Sequence, residues 1–470
     1  MARPIRFNAF EMNCVGHQSP GLWRHPGDRS GEYSTLGYWN DLARLLERGL
    51  FDGVFLADVV GIYDVFGGTH EAAVRHGIQV PVNDPLLVIP PMAAVTEHLG
   101  FGVTVNLSYE APYLLARRFT TLDHLSGGRV GWNVVTGYLD SAARAMGLDR
   151  QRAHDDRYDL AEEYMAVVYA LWESSWDDDA VRRDRASGIF ADPAKVRPVR
   201  HHGEHFRVDG VHLGEPSPQR TPVIYQAGTS PKGRDFASRH AECVFVSGPS
   251  TAVIAPRVAA LRQGVAAAGR RADDILVYAL ATIVVAETDE AARAKLAEYR
   301  SYVSHEGALA LMSGWTGVDF STLDLDGEVR HVENDAGRSA MDNVTRADPS
   351  RVWTVREVAE HVGIGGIGPV FVGSPSTVCD ALETWVEATG VDGFNLAYVV
   401  AHETFAEVVD LVVPELQRRG RYRTAYGAGP LREKLFGRGR ARVAPPHPAA
   451  TYRYQAGRDA VPAVIGGEQA

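Results

Sequence analysis

Short apolar and β-branched runs alternate with stretches whose apolar residues recur every three or four positions, and a turn separates each pair. The strand-like runs are Ile5 to Met12, Gly53 to Leu56, Gly102 to Leu107, Val130 to Val135, Val223 to Ala227, Val244 to Val246, Ile275 to Val285 and Gly393 to Val399. Eight such runs are what a closed parallel barrel requires. Between them Leu42, Leu45 and Leu46 repeat at helical intervals before Gly49, a candidate C-cap. Phe405, Val408, Val409 and Val412 do the same before Pro414, where the helix is expected to stop. Continuous apolar runs such as YALATIVVA predict strands buried on both faces by helices. The expected fold is therefore α/β, a (β/α)8 barrel.

Two stretches break the rhythm, about 172–220 and about 302–370, and both exceed ordinary barrel loops. Long excursions after barrel strands commonly form lids and pocket walls. One domain over 1–425 with these two insertions is the expected organisation. The remaining 426–470, with Tyr426, Tyr452 and Tyr454 among Arg, Gly and Pro, has no period and reads as an extension that wraps a neighbouring subunit or is partly disordered. No solenoid-length repeat is evident.

Charge narrows the partners. Lys and Arg number 48 against 59 Asp and Glu, a formal net charge of −11, which repels phosphate backbones and anionic membrane surfaces. The basic cluster Arg418, Arg419, Arg421 and Arg423 is short and reads as a solvated helix end. The chain begins directly in strand pattern without a charged leader and an apolar core, and no apolar run reaches the ~18 residues of a spanning helix, so a cytoplasmic protein is expected. Three scattered cysteines, Cys14, Cys243 and Cys379, form neither a disulfide framework nor a metal-binding pair.

The segment TPVIYQAGTSPKGRDFASRH ends an apolar strand in Ala227-Gly228 and opens a helix at Ser230-Pro231. Ser is a favoured N-cap and Pro a favoured first helical residue, while Gly lets a ligand approach the backbone. Free N–H groups at such a helix start suit a phosphate held at Gly228, Thr229 and Ser230, although a capped helix with nothing bound has the same pattern. In AHDDRYDLAEEYMAVVYALW, His154 precedes an acidic first turn and Tyr158 lies four residues on, so both can face one ligand. The formal G-x-G-x-x-G of Gly363 to Gly368 follows a helical pattern, where a dinucleotide fingerprint would follow a strand, and is set aside. His201, His202, Glu204 and His205 lack the helical spacing of a metal pair. The first two strands deliver Asn13, Cys14 and His17, and then Asp58, to one barrel mouth.

Together these segments resemble the bacterial luciferase-like flavin monooxygenases, in the branch that holds long-chain alkane, nitrilotriacetate and dibenzothiophene sulfone monooxygenases. The phrases carrying the resemblance are FEMNCVGH, GLWRHP, LERGLFDGVFLADVVGIYD, AAVTEHLGFG, ARRFTTLDHLSGGRVGWNVVT, HDDRYDLAEEY, EPSPQRTPVIYQAGTSPKGRDFA and VVPELQRRG, spread over most of residues 5–425. FEMNCVGH, GLWRHP, FLADVVGIYDV and QVPVNDPL look most like the alkane enzyme, yet Tyr138 and Leu311 stand where that enzyme carries histidines. The resemblance implies a TIM barrel binding FMN through Asp58, Thr104, His154, Tyr158 and Ser230, with Asn133 on the same rim. It further implies FMNH2 from a separate NAD(P)H:flavin reductase, reaction with O2 at flavin C4a to give a peroxide, and oxygenation of a small molecule. Long-chain alkane, organosulfur, amine and aromatic substrates stay open. His17 is expected to assist proton transfer by titrating near neutrality, with Cys14 and Tyr63 shaping the substrate side. Barrels of this branch pair as homodimers or homotetramers. A deazaflavin-dependent oxidoreductase on the same barrel and a non-catalytic flavin-binding protein are the alternatives.

Overall fold

The computed structural model describes residues 3–228, 230–331, 338–348 and 350–453. Its first strands are β1 (Arg6–Met12), β2 (Gly53–Ala57), β3 (Gly100–Asn106) and β4 (Val130–Val135). Two antiparallel hairpins follow, β5 (Val181–Asp184) with β6 (Ile189–Ala191) and β7 (Val199–His202) with β8 (Arg207–Gly210). The chain then continues through β9 (Val223–Gln226), β10 (Cys243–Val246), β11 (Leu276–Val285), β12 (Val370–Gly373) and β13 (Gly393–Ala397). Strands β1, β2, β3, β4, β9, β10, β11 and β13 pair in parallel in that order, and β13 returns to β1, so the sheet closes into a (β/α)8 TIM barrel. These eight are the strands expected from the sequence, with ends that differ by no more than two residues.

β12 was not expected. β10 and β13 occupy residues 276–282 of β11, and the ten-residue strand runs on past them. Val370–Gly373 pairs with the overhang Thr282–Val285. Four residues behind a proline carry too little pattern to read as a strand, so the pairing partner decides. All ten residues of β11 are buried, as a parallel strand covered on both faces must be.

Two helix ends differ from expectation. Helix Leu36–Arg48 is capped by Thr35 and does stop at Gly49, but Gly49 has φ −79° and the left-handed conformation falls on Leu50 at φ 56°. The glycine is required by contact: a methyl there would stand 2.4 Å from Val409 Cγ2. Pro414 does not end its helix. A wider turn of π type at Val408–Val412 precedes Val413–Arg418, so the proline opens a new helical segment, where its missing N–H costs nothing.

The 302–370 insertion supplies helices His305–Thr316, Arg338–Asn343 and Val355–Val362. They form a second apolar core with Tyr63, Ile78 and Leu139, from loops at the C-terminal ends of β2 and β4, and so roof the barrel mouth. The 172–220 insertion packs its second hairpin beside helix His154–Ser174, where His201 Nε2 lies 2.8 Å from Glu163 Oε1. Past Gly420 the chain crosses the opposite end of its own barrel. Arg423 joins Arg6 at the buried Asp52, so it is not part of a solvated helix end; Arg432 pairs with the buried Glu242; and Arg453 bonds to Glu173. Residues 454–470 of the extension lie outside the described residues.

Candidate active site

Every barrel strand sends a residue to one cavity of about 400 Å3 at the strand C-termini: Met12, Ala57, Thr104, Asn133, Gln226, Val246, Leu280 and Asn395. The convergence follows from closure, because parallel strands in a ring deliver all their C-terminal ends to one mouth. Phe10, Phe55 and Phe245 form an aromatic floor, with ring centroids 5.3 Å apart for Phe10–Phe55 and 4.2 Å for Phe55–Phe245. Trp315, Ala340 and Ile367 from the 302–370 insertion close the top. None of the described residues of the 172–220 insertion lines the cavity.

The junction at Ser230 has the expected build. Ser230 is extended at φ −61°, ψ 161°, its hydroxyl accepts from Gly233 N at 3.1 Å, and Pro231 opens the helix that runs to His240. The Tyr158 hydroxyl is hydrogen-bonded to Ser230 and Gln226. A methyl on Gly228 or Gly233 would stand 2.6 or 2.7 Å from Tyr158 Oη, so both glycines make room for that hydroxyl at the helix start. His154 lies one turn before Tyr158, the two rings 5.3 Å apart, with its Nδ1 2.8 Å from Asp155. Arg157, 2% exposed, also faces the cavity. Lys232, two residues past Ser230, turns outward to Asp159. Thr229 lies outside the described residues.

Away from this junction Asn133 Nδ2 donates to Thr104 Oγ1 at 3.0 Å across paired strands. Asn133 Oδ1 and Gln226 Oε1 are buried at the cavity without a hydrogen-bond partner among the described residues. An unpaired buried acceptor costs ~1–3 kcal/mol, and two at one cavity indicate a ligand that brings donors. Asp58 lies just past β2, where burial, reinforced by Asp84, pushes its carboxyl up to about 7.

Two expected roles change. The His17 imidazole is buried against the Phe10 ring at 4.4 Å, and burial pushes it down to about 3. It lines the cavity but stays neutral at physiological pH, so it does not titrate near neutrality as expected. Cys14 does not reach the cavity wall. It is buried with its backbone bridged to Val82, and burial, with Glu11 and Asp58 nearby, holds the thiol well above its usual range. Tyr63 and Tyr138 both line the wall, their hydroxyls 2.8 Å apart, whereas Leu311 is fully buried behind it in the lid.

Sequence reasoning missed Arg157, Gln226, Gln79 and Trp315. Arg157 sits beside Tyr158 in a run of charges that reads as a solvated turn, so nothing local marks it as buried. Gln79 and Trp315 come from loop and lid, and tertiary packing alone brings them in. The glycines of Gly363 to Gly368 follow helix Val355–Val362 and precede β12, as a turn and not a nucleotide loop. At φ +72° and +78°, Gly365 and Gly366 let the backbone press on Thr282 and Gln18.

Fold and site together define a parallel-barrel protein with a lidded apolar cavity and a Ser-capped helix start at one strand-to-helix junction. Residues 20–393 match the luciferase-like monooxygenase family model, and the chain belongs to that family. It is 52% identical to the dimethyl-sulfide monooxygenase of Hyphomicrobium sulfonivorans over 96% of this chain and 94% of that one. It is 47% identical to the long-chain alkane monooxygenase of Geobacillus thermodenitrificans strain NG80-2, over 96% and 99%. A crystal structure of riboflavin lyase with modified FMN and riboflavin superposes with a TM-score of 0.90 at 37% identity, covering 96% of this chain and all of that one. The expected branch is thus represented, with a thioether enzyme beside the alkane enzyme.

Proposed function

We propose that this chain is the oxygenase component of a two-component flavin monooxygenase, which takes FMNH2 from a separate NAD(P)H:flavin reductase and oxygenates a small organic molecule. One observation carries the reading: a Ser230-capped helix start, the Tyr158 hydroxyl and the buried Arg157 share one cavity with the polar pair Thr104–Asn133.

Residues and cofactor fit each other. Ser230, Gly228, Tyr158 and the cationic Arg157 would hold the phosphate, with His154 beside them, where the positive end of the helix dipole adds to the attraction. The orphaned acceptors Asn133 Oδ1 and Gln226 Oε1 would take hydrogen bonds from flavin N–H or ribityl hydroxyl groups. Asp58, with a carboxyl pushed up to about 7, exists in both protonation states near neutrality and would accept or return a proton at Oδ. Reduced FMN supplies two electrons, so that one atom of O2 enters the substrate and the other leaves as water. The chain's own work is to bind, orient and exclude water, which the lid does.

Titration with FMN, followed by flavin fluorescence, tests the cofactor, and incubation with FMNH2, O2 and a substrate panel tests the reaction by mass spectrometry. A product heavier by one oxygen is expected. Flavin binding without any oxygenated product would favour a carrier, and preferential binding of a deazaflavin would favour a dehydrogenase.

A further inference from the structure

We infer that the lid wall of this cavity selects a neutral substrate that asks for no hydrogen-bond donor, a thioether or a hydrocarbon, and turns away S-oxides and carboxylates. The inference rests on the monooxygenase reading above and narrows its substrate class.

Gln79 Nε2 donates to the His17 carbonyl at 2.9 Å, which fixes Gln79 Oε1 as the end facing Tyr63. Tyr63 donates its one hydroxyl proton to that oxygen at 2.9 Å. At 2.8 Å from Tyr138, Tyr63 can then only accept, so the Tyr138 proton is spent on it. Both phenolic protons are thereby consumed inside the protein. From Tyr63 and Tyr138 only lone pairs and ring faces remain toward the cavity, beside Trp315 and Ile367. Gln18 Oε1, on the same cavity, is one more buried acceptor without a partner among the described residues.

A sulfoxide, sulfone or carboxylate presents oxygen acceptors. Against this wall they would lose water and meet other acceptors, the costly arrangement. Charge points the same way. Asp58 adds a carboxyl to the lining, and Arg157, the one Lys or Arg among the described lining residues, stands beside Tyr158 at the Ser230 junction. A dialkyl sulfur, by contrast, is polarisable, hydrogen-bonds weakly and packs well on aromatic rings. The relay is also held rigidly, because Gly314 lets the lid helix seat directly on Tyr63, where a methyl would come within 2.0 Å of Cδ1.

Calorimetric titration of the FMN-loaded protein with tetrahydrothiophene, its 1-oxide, its 1,1-dioxide and cyclopentanecarboxylate tests the inference. The thioether is expected to bind at least tenfold more tightly than the other three. Gln79→Leu releases the Tyr63 proton and is expected to narrow the thioether-to-sulfone ratio at least fivefold with FMN affinity unchanged. Tyr138→Phe releases no proton and is expected to leave the ratio within twofold. Equal binding of thioether and sulfone by the native protein, or an unmoved ratio in Gln79→Leu, would overturn the inference. The native ordering decides by itself should the variant not fold. Oxygenation followed in parallel separates the two readings: the ordering without oxygenated product sinks only the monooxygenase, and product without the ordering sinks only the selectivity.

Discussion

Ser230 does two jobs with one hydroxyl, and the two can be separated by measurement. As N-cap it satisfies Gly233 N, which is worth ~1 kcal/mol of stability. As a neighbour of Tyr158 it is the proposed phosphate contact. Ser230→Ala is expected to raise the FMN dissociation constant about tenfold, roughly one charge-assisted hydrogen bond, while the fold survives; unchanged affinity would count against the assignment. Asp58 offers a pH signature. Its folded carboxyl titrates at about 7 against 3.8 when unperturbed, so the folded state binds the extra proton between those values and the Asp58 contribution to stability falls as pH rises from about 4 to 7. Asp58→Asn removes this penalty. Its unfolding free energy relative to the native protein should therefore improve by ~1–3 kcal/mol between pH 4 and pH 8, read from denaturant curves. For His17, held neutral by burial, His17→Ala is expected to reduce turnover more than FMN affinity. Any limb near 7 in the native pH–rate profile is expected to belong to Asp58 and so to disappear in Asp58→Asn.

At the scale of elements, the lid helix His305–Thr316 sets the position of the substrate wall. Gly314→Ala places a methyl inside the Tyr63 ring, and overpacking of this kind costs ~1–3 kcal/mol. Substrate turnover is expected to drop at least tenfold with FMN affinity within twofold of native, because the Ser230 junction lies on other elements; a parallel loss of flavin would mean the lid positions both. The same elements show what was legible in the chain. The strand-turn-helix at Ser230 is specified within twenty residues, so it could be read in full. The Gly363 to Gly368 turn could be rejected as a nucleotide loop from its neighbours, yet its purpose, room for Thr282 and Gln18, depends on residues 81 or more positions away and left no local trace.

Over the whole molecule, the C-terminal stretch ties the end of the barrel opposite the cavity. Burial alone would raise the Glu242 carboxyl, but Arg432 beside it holds it below the usual range. Removing one partner of a buried pair is costly, so Arg432→Ala is expected to destabilise by ~3–5 kcal/mol in denaturant unfolding. The double variant with Glu242→Ala is expected to cost less than the sum of the two single changes. By itself the sequence determined the eight barrel strands and the family, and it pointed to several of the polar residues that line the mouth, because strand periodicity, caps and turns are written in residues close along the chain. Tertiary structure alone decided which charges and hydroxyls are buried: that His17 is neutral, that Cys14 stays behind the wall, that Arg157 turns inward and that the Tyr63–Tyr138–Gln79 relay is closed. Protonation and hydrogen-bond direction depend on what surrounds a group in space, and those surroundings exist only once distant segments have packed.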